Sequence, residues 1–467
     1  MISAPSLRQR LSGNKAVAIC LVFIFLYACK GPKQVAVRPP DPEPPVEIPK
    51  EDQIKQYDPV KDAVVLVPRD AIKLDTVRWT EDKTPPVITD EVVRPTKPTK
   101  HGDSRIALLM PFNAINAPLF SDHQDPRLNK FIQYYAGVKM AMAKIDSLGW
   151  PVRVHSYDVE TTETSLPLLM AKPEIKNADV IVGPYEKKDV ETLAAFGLQH
   201  EIMVVSPWLP AFAGDSLNPY LIQLYAGLST HAQAITEFIH DEMAGKKVYV
   251  VSRDKPVERN RMQLFTKGGA VNVEELIIND SSPDLVNTNL HALMSDDVGT
   301  IFIMPYFAKS DETFVNSFLR KLHADKDTRE AIVFGLPQWV GFTNLNSNYM
   351  ESLSLHLSIS SFIDVASPEY SAFRAGFYNR FHAIPDLNAF LGYDMMMWLS
   401  ESLTKGGQEA LIGKMDPMQY GLASGFDIRP VYKNSGSSKQ EMNTPLYYEN
   451  KRIRILRYVG QDYVLVR

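Results

Sequence analysis

At 467 residues the chain is longer than one hydrophobic core usually organises, so two lobes are expected. Hydrophobic residues make up 45% and charged residues 22%, with a formal net charge of −5; this lacks the basic balance that nucleic acid requires, and no nucleic-acid partner is expected. Both of its 2 cysteines, Cys20 and Cys29, lie near the N-terminus, so the remainder carries no disulfide and no thiolate metal site.

Arg8, Arg10 and Lys15 precede an apolar run, Ala16–Tyr27. The run is short for a bilayer-spanning helix and the right length for a signal-peptide core. It ends in Leu26-Tyr27-Ala28-Cys29, which resembles a bacterial lipobox. That resemblance implies a signal peptide over 1–29 and a lipidated Cys29 as the mature N-terminus, with the membrane as a partner. A plain membrane helix with an incidental cysteine is the alternative, and the short run counts against it. Lys30, where an aspartate would favour inner-membrane retention, implies outer-membrane attachment facing the periplasm.

From 30 to 103 the texture changes. The prolines of PPDPEPPVEIP, with Pro59, Pro68, Pro85, Pro86, Pro95 and Pro98, alternate with charges and few aromatics. Such a segment buries too little apolar surface to offset its ordering entropy and is read as a tether. About seventy residues at about 3 Å each reach on the order of 200 Å. Ala63–Val67 is the one patch there with strand character.

Past Ser104 strands and helices alternate. Arg105–Phe112, RIALLMPF, is an apolar run too brief for an ordinary helix and stopped by Pro111, which predicts a buried parallel strand over Ile106–Met110. Helix Phe131–Ser147, strand Val152–Tyr157, helix Thr164–Ala171, strand Val180–Val182, helix Lys187–Gln199 and strand Ile202–Val205 complete a first series. A second runs through helix Thr230–Met243, strand Val248–Val251, helix Val257–Lys267, strand Val273–Ile278, helix Ser282–Met294, strand Thr300–Met304, helix Asp311–His323 and strand Ala331–Phe334. Strand Leu355–Ile363, helices Pro368–Phe381 and Leu387–Thr404, and a hairpin, Arg452–Tyr458 with Tyr463–Val466 around Gly460-Gln461, close the chain. Parallel strands with helices between them predict an α/β fold of two doubly wound sheets.

Ligands of open α/β sheets sit at the carboxyl ends of the strands, and two lobes facing across a hinge form a clamp. Those ends carry Phe112, Asn113, Tyr185, Ser206, Trp208, Tyr306, Gln338 and Trp339, aromatic and hydrogen-bonding groups suited to a small polar ligand, and Tyr225 before the second series is a further candidate. RIALLMPF, then FIQYYAGVKMAMAKIDSLGWPVRVHSYDVE, ADVIVGPYEKKDV and IMVVSPW, in that order, resemble type I periplasmic binding proteins of the leucine/isoleucine/valine-binding kind. They also resemble the C-terminal domain of lipoprotein activators of class A penicillin-binding proteins. The resemblance spans about Ser104 to the C-terminus. It implies that Gly183-Pro184-Tyr185 and Ser206-Pro207-Trp208 hold a ligand carboxylate through hydroxyl and backbone N–H groups, although Tyr185 and Trp208 replace the small residues usual there. It also implies three interlobe crossings, near Gln223–Ser229, Phe362–Ser367 and Gly421–Phe426. Lobe one would then be 104–226 with 365–420, and lobe two 227–364 with 421–467.

Each candidate has a plainer reading beside it. Tyr185 and Trp208 can pack across the cleft, Ser206 can cap a turn before Pro207, and Tyr306 and Trp339 depend on where their strands end. Asp364, a candidate partner for a ligand amine, can be a solvated loop acid. Tyr134-Tyr135 and Met395–Trp398 read as core-facing and cleft-lining helix surface. Ser402-Leu403-Thr404-Lys405 matches S-x-x-K without its companion motifs, and no nucleophile elbow, zincin, P-loop or dinucleotide motif occurs. His231 and His240, nine apart, make no ligand pair. No enzyme, metal or cofactor is expected. The expected function is solute binding in an interlobe cleft, with an amino acid, peptide or muropeptide-like ligand as in ABC-transporter substrate-binding proteins. The alternative is an interaction protein that regulates peptidoglycan-synthesis proteins without a ligand.

Overall fold

A computed structural model describes residues 102–112, 126–159, 165–210, 217–267, 271–278, 285, 287–415, 419–433 and 443–467, and the backbone of two earlier strands. The expected signal peptide, Cys29 and Asn113 lie outside the described residues. The chain divides into two units, Met1–Ile88 and Thr89–Arg467. In the first, β1 (Gln53–Asp58) pairs antiparallel with β2 (Ala63–Pro68). The strand-like patch is therefore β2, and the segment read as a tether contains a hairpin.

In the second unit the strands β3 (Ser104–Met110), β4 (Val152–Asp158), β5 (Val180–Val182), β6 (Met203–Pro210) and β7 (Leu221–Tyr225) come first. They are followed by β8 (Lys247–Arg253), β9 (Glu274–Ile278), β10 (Thr300–Ile303), β11 (Ala331–Gly335) and β12 (His356–Ile359). The last are β13 (Gly413–Met415), β14 (Phe426–Val431), β15 (Tyr447–Asn450), β16 (Arg454–Val459) and β17 (Asp462–Leu465). One sheet has the order β13-β14-β15-β7-β6-β5-β3-β4 and the other β17-β16-β12-β11-β10-β8-β9. The first has six consecutive parallel strands and the second five, with antiparallel additions at one end only.

Both faces of each sheet are covered, which is why the parallel strands read as unbroken apolar runs. Ile106, Leu108 and Met110 point to one core of the first lobe and Ala107 and Leu109 to the other. Each fully buried Ile or Leu contributes about 1.5–3 kcal/mol. The first core is roofed by α1 (Pro126–Leu148), α6 (Pro368–Phe381) and α7 (Leu387–Gly406), and the opposite face by α2 (Lys187–His200). In the second lobe α3 (Leu228–Glu242) and α4 (Pro256–Thr266) cover one face and α5 (Glu312–Asp325) the other. The start of α6 is set by Ser367, whose Oγ accepts from Tyr370 N, with Pro368 in the first turn. That of α7 is set by Asp386, whose carboxylate accepts from Asn388 N and Ala389 N. At Gly137 of α1 and Gly392 of α7 the two helices cross backbone to backbone. A Cβ at Gly392 would stand 2.1 Å from Tyr134 O, and one at Gly137 1.9 Å from Ala389 O.

Three stretches pass between the sheets: 226–228 after β7, 360–367 after β12, and 451–453 between β15 and β16. The first two match the expected crossings and the third does not. β14 and β15, expected in the second lobe, join the first sheet through β7, and the crossing falls about thirty residues later. The terminal hairpin does join the second lobe, with Gly460 and Gln461 both at positive φ as its tight turn requires. Of the expected helix Ser282–Met294, the described end is a short 3-10 turn, His291–Leu293.

Candidate functional site

The carboxyl ends of both parallel sets meet at the crossings. Between them lies a cavity of about 280 Å³, lined by Tyr134, Trp208, Leu391 and Met395 from the first lobe and Gln338 and Ser361 from the second, among others. A second cavity of about 440 Å³ shares the wall Trp208, Tyr225, Pro337 and Gln338 and adds Lys130, His231 and Phe307. Within that wall Gln338 Nε2 donates to Tyr225 Oη at 3.3 Å, a direct bond between the lobes.

The first-lobe rim is aromatic. Trp208 stands edge-on to Phe131 and Tyr134, with centroids 5.3 and 5.1 Å away, and Tyr185 stands edge-on to Phe131 at 5.2 Å. The register of β6 against β7 shifts between Ser206 and Pro210, an irregularity of the kind that re-aims side chains. Three buried polar atoms of cavity-lining residues have no hydrogen-bond partner among the described residues: Tyr134 Oη, Trp208 Nε1 and Gln338 Oε1. Ser206 Oγ, fully buried two residues before Trp208, has none either. Burial, and secondarily the Asp394 carboxylate, push the Tyr134 phenol far above its usual range, so it is a hydrogen-bond donor at any ordinary pH.

The remaining charge is distributed around the cleft. Lys130 stands 4.9 Å from the centroid of Tyr185 and 5.6 Å from that of Phe131, has no carboxylate partner among the described residues, and is held below its ordinary pKa by burial. His231 is pushed down to about 4 by burial and is neutral at pH 7; its Nδ1 lies 3.0 Å from Ser358 Oγ. No Asp or Glu of the described residues lines either cavity.

Two buried carboxylates tie the crossings together. Glu449 Oε1 accepts from Gly227 N at 2.7 Å and Thr230 Oγ1 at 2.8 Å, capping α3 at the first crossing, while Oε2 takes Lys451 Nζ at the third. Asp394 accepts from Leu422 N, Ala423 N and Ser424 N at 2.7–2.8 Å. The same turn receives Phe362 N of the second crossing on Ala423 O. Burial outweighs the three backbone bonds and raises Asp394 to about 6.

Of the candidates read from the sequence, Trp208, Tyr225 and Gln338 line the cleft. Others do not. Tyr185 is used in packing, and Gly183 N is spent on Val205 O, so the expected carboxylate cradle at 183–185 is not formed that way. Phe112 packs on Tyr135 and donates its N–H to Asp158. Tyr306 is buried in the second lobe, where its hydroxyl donates to Glu258 Oε2 beside the Arg253–Glu258–Asp311 ion network. Trp339 is buried over Gly335 and donates Nε1 to Tyr306 O at 2.7 Å. Asp364 is exposed, and its carboxylate accepts from Ala366 N in the turn before α6. Lys130, Leu387, Leu391 and Asn450 went unnoticed; Tyr134 and Met395 were signalled by their helical faces. Ser402 of the S-x-x-K match is fully buried, and the exposed Lys405 pairs one helical turn back with the buried Glu401, at 2.5 Å from its Oε1.

No family model and no curated protein sequence matches the chain. Solved structures do. A protein described as a branched-chain amino acid ABC transporter, from Rhodospirillum rubrum, aligns over 78% of this chain and 100% of its own at 12% identity, TM-score 0.56. A branched-chain amino acid ABC transporter periplasmic ligand-binding protein from Burkholderia xenovorans LB400 aligns over 78% and 95% at 13% identity, TM-score 0.51. Full-length LpoA from Haemophilus influenzae aligns over 79% of this chain and 60% of its own at 14% identity, TM-score 0.51. The chain has the two-lobed α/β fold of type I periplasmic binding proteins, the fold also present in LpoA.

Proposed function

We propose that this chain is a non-enzymatic, lipid-anchored envelope protein whose interlobe cleft binds a small polar solute, of the amino-acid, peptide or muropeptide-like kind. One observation carries the reading. Tyr134 Oη, Trp208 Nε1 and Gln338 Oε1 belong to residues of both lobes that line one cavity, and they are buried with no hydrogen-bond partner among the described residues. An unmet buried polar group costs about 1–3 kcal/mol, and a solute that meets all three recovers that cost. Because such a solute touches both lobes, it favours the closed state. The similar ABC-transporter proteins support the same reading at the level of fold. Scanning calorimetry against pooled amino acids, peptides and muropeptides tests it. A solute at one hundred times its Kd adds about 2.7 kcal/mol of stability and raises Tm; no shift with any pool removes the support.

Lipid anchoring through Cys29, in the outer membrane facing the periplasm, rests on the Leu26–Cys29 motif and Lys30. Among the described residues no helix is long and apolar enough to cross a membrane. Cys29→Ser is expected to release the protein from membranes and abolish radiolabelled palmitate incorporation, and unchanged labelling contradicts it.

The second reading is an interaction protein that regulates peptidoglycan synthesis. It is favoured by the likeness to LpoA, described as a regulator of PBP1A, and by the rings of Phe131, Tyr185 and Trp208 that fill the first-lobe rim. Retention of an envelope synthase by the immobilised protein, with a cleft indifferent to every solute pool, is the result that selects it.

A further inference from the structure

The charge pattern of the cleft narrows the solute's class, an inference that rests on the solute-binding reading above. A free α-amino acid brings an ammonium as well as a carboxylate, and its ammonium needs an acidic or carbonyl-rich receptor. Among the described residues neither cavity offers a carboxylate, and Asp364 is turned to its own loop. The outer cavity instead holds Lys130, a half-buried cation whose neighbours are ring faces and not acids. His231 beside it is neutral. The rim of the second lobe is basic at the same place, where the Arg261 guanidinium lies 4.5 Å from the centroid of Phe307. The inner cavity is lined mainly by Leu, Met and aromatic side chains and carries no full charge among its lining residues. Both cavities share the wall Trp208, Tyr225, Pro337 and Gln338, whose side chains are uncharged, and there Trp208 Nε1 and Gln338 Oε1 are buried with no hydrogen-bond partner among the described residues.

We propose that the cleft takes a carboxylic acid with an apolar side chain whose amine is acylated: the carboxylate beside Lys130, the uncharged amide along the wall that both cavities share, and the apolar group in the inner cavity. An N-blocked amino acid or the acyl-linked end of a peptide has this chemistry, and a free zwitterionic amino acid does not. Lys130, which has no carboxylate partner among the described residues, sets the sign of the head group. The neutral inner cavity excludes an ammonium because a buried charge without a partner is costly.

Four probes that share one side chain separate the terms: N-acetyl-leucine, leucine, N-acetyl-leucinamide and leucinamide, titrated into the protein by calorimetry with intrinsic tryptophan fluorescence in parallel. N-acetyl-leucine is expected to bind tightest, with leucine and N-acetyl-leucinamide each at least tenfold weaker and leucinamide weakest. Lys130→Met, which keeps the side-chain stem over Tyr185, is expected to bring N-acetyl-leucine down to the affinity of N-acetyl-leucinamide and to leave the latter unchanged. Leucine binding as well as or better than its acetylated form overturns the assigned class while leaving solute binding intact. Equal loss of both acetylated probes in Lys130→Met overturns the role of the lysine. If no probe gives a saturable signal at millimolar concentration the class assignment falls, and if the wider pools also fail, solute binding falls with it.

Discussion

Replacing Gly392 with alanine tests the helix crossing on which the cleft is built. In an open helix the change stabilises by about 1 kcal/mol, since glycine has the greater backbone entropy to lose. Here the new Cβ would stand 2.1 Å from Tyr134 O, where a carbon–oxygen contact needs about 3.3 Å. The obstacle is backbone and cannot swing aside, so α1 and α7 must part by roughly 1 Å along a seam that carries Tyr134, Leu391 and Met395 into the cavity. Overpacking of that kind costs up to about 3 kcal/mol and occasionally more, so overpacking wins and the net loss is about 2 kcal/mol. Gly376 is the internal control. A Cβ there meets Met140 Cε at 3.3 Å, the free end of a flexible side chain, and Gly376→Ala in α6 is expected to be neutral or stabilising by up to about 1 kcal/mol. Urea denaturation followed by circular dichroism reads both. Gly392→Ala as stable as the parent, or Gly376→Ala losing as much, refutes the reasoning.

Acid is expected to weaken the fold through buried histidines. His231 and His356 are held at about 4 by burial, against 6.5 in the open, so between those values the unfolded chain binds more protons and stability falls as pH drops. Asp394 at about 6, against 3.8, has the opposite sign over almost the same window. At about 1.4 kcal/mol per unit, two histidines at about 3 kcal/mol each outweigh one carboxyl at about 3, which leaves a net loss of about 3–4 kcal/mol from pH 6.5 to 4; denaturation midpoints that stay level or rise toward acid contradict this. Glu449→Ala strips Gly227 N, Thr230 Oγ1 and Lys451 of their shared acceptor. With Lys451 still partly hydrated, a cost of about 2–3 kcal/mol is expected in the same denaturation assay; a loss below about 0.5 kcal/mol would show that the joint between the first and third crossings carries little.

Strands buried on both faces, such as Ile106–Met110, Val180–Val182 and Thr300–Ile303, are legible in the sequence as unbroken apolar runs. Those that escaped notice carry polar residues for structural reasons. β15 reads Tyr-Tyr-Glu-Asn because Glu449 caps α3 and Asn450 accepts from Asp427 N and donates to Gly425 O. β14 is broken to the eye by Arg429 and Pro430. Missing that pair displaced the third crossing. At the site, single residues decide direction: Gln338 faces the cleft while Trp339, one step on in the same 3-10 turn, points into the second-lobe core. Lys130 gave no signal, because a lysine at the edge of a helix is ordinary until its neighbours prove to be rings.

The account stands or falls on whether the lobes close around a solute. Cysteines introduced at the exposed positions Lys188 and Ser310, on loops or helix starts beyond the carboxyl ends of the two sheets, report their separation by energy transfer. Addition of N-acetyl-leucine, or of whichever pool shifts Tm, is expected to shorten that distance saturably and at the same concentration that changes the intrinsic tryptophan fluorescence. A separation unaffected by every solute that binds would contradict closure, and with it the reading of the cleft as a clamp.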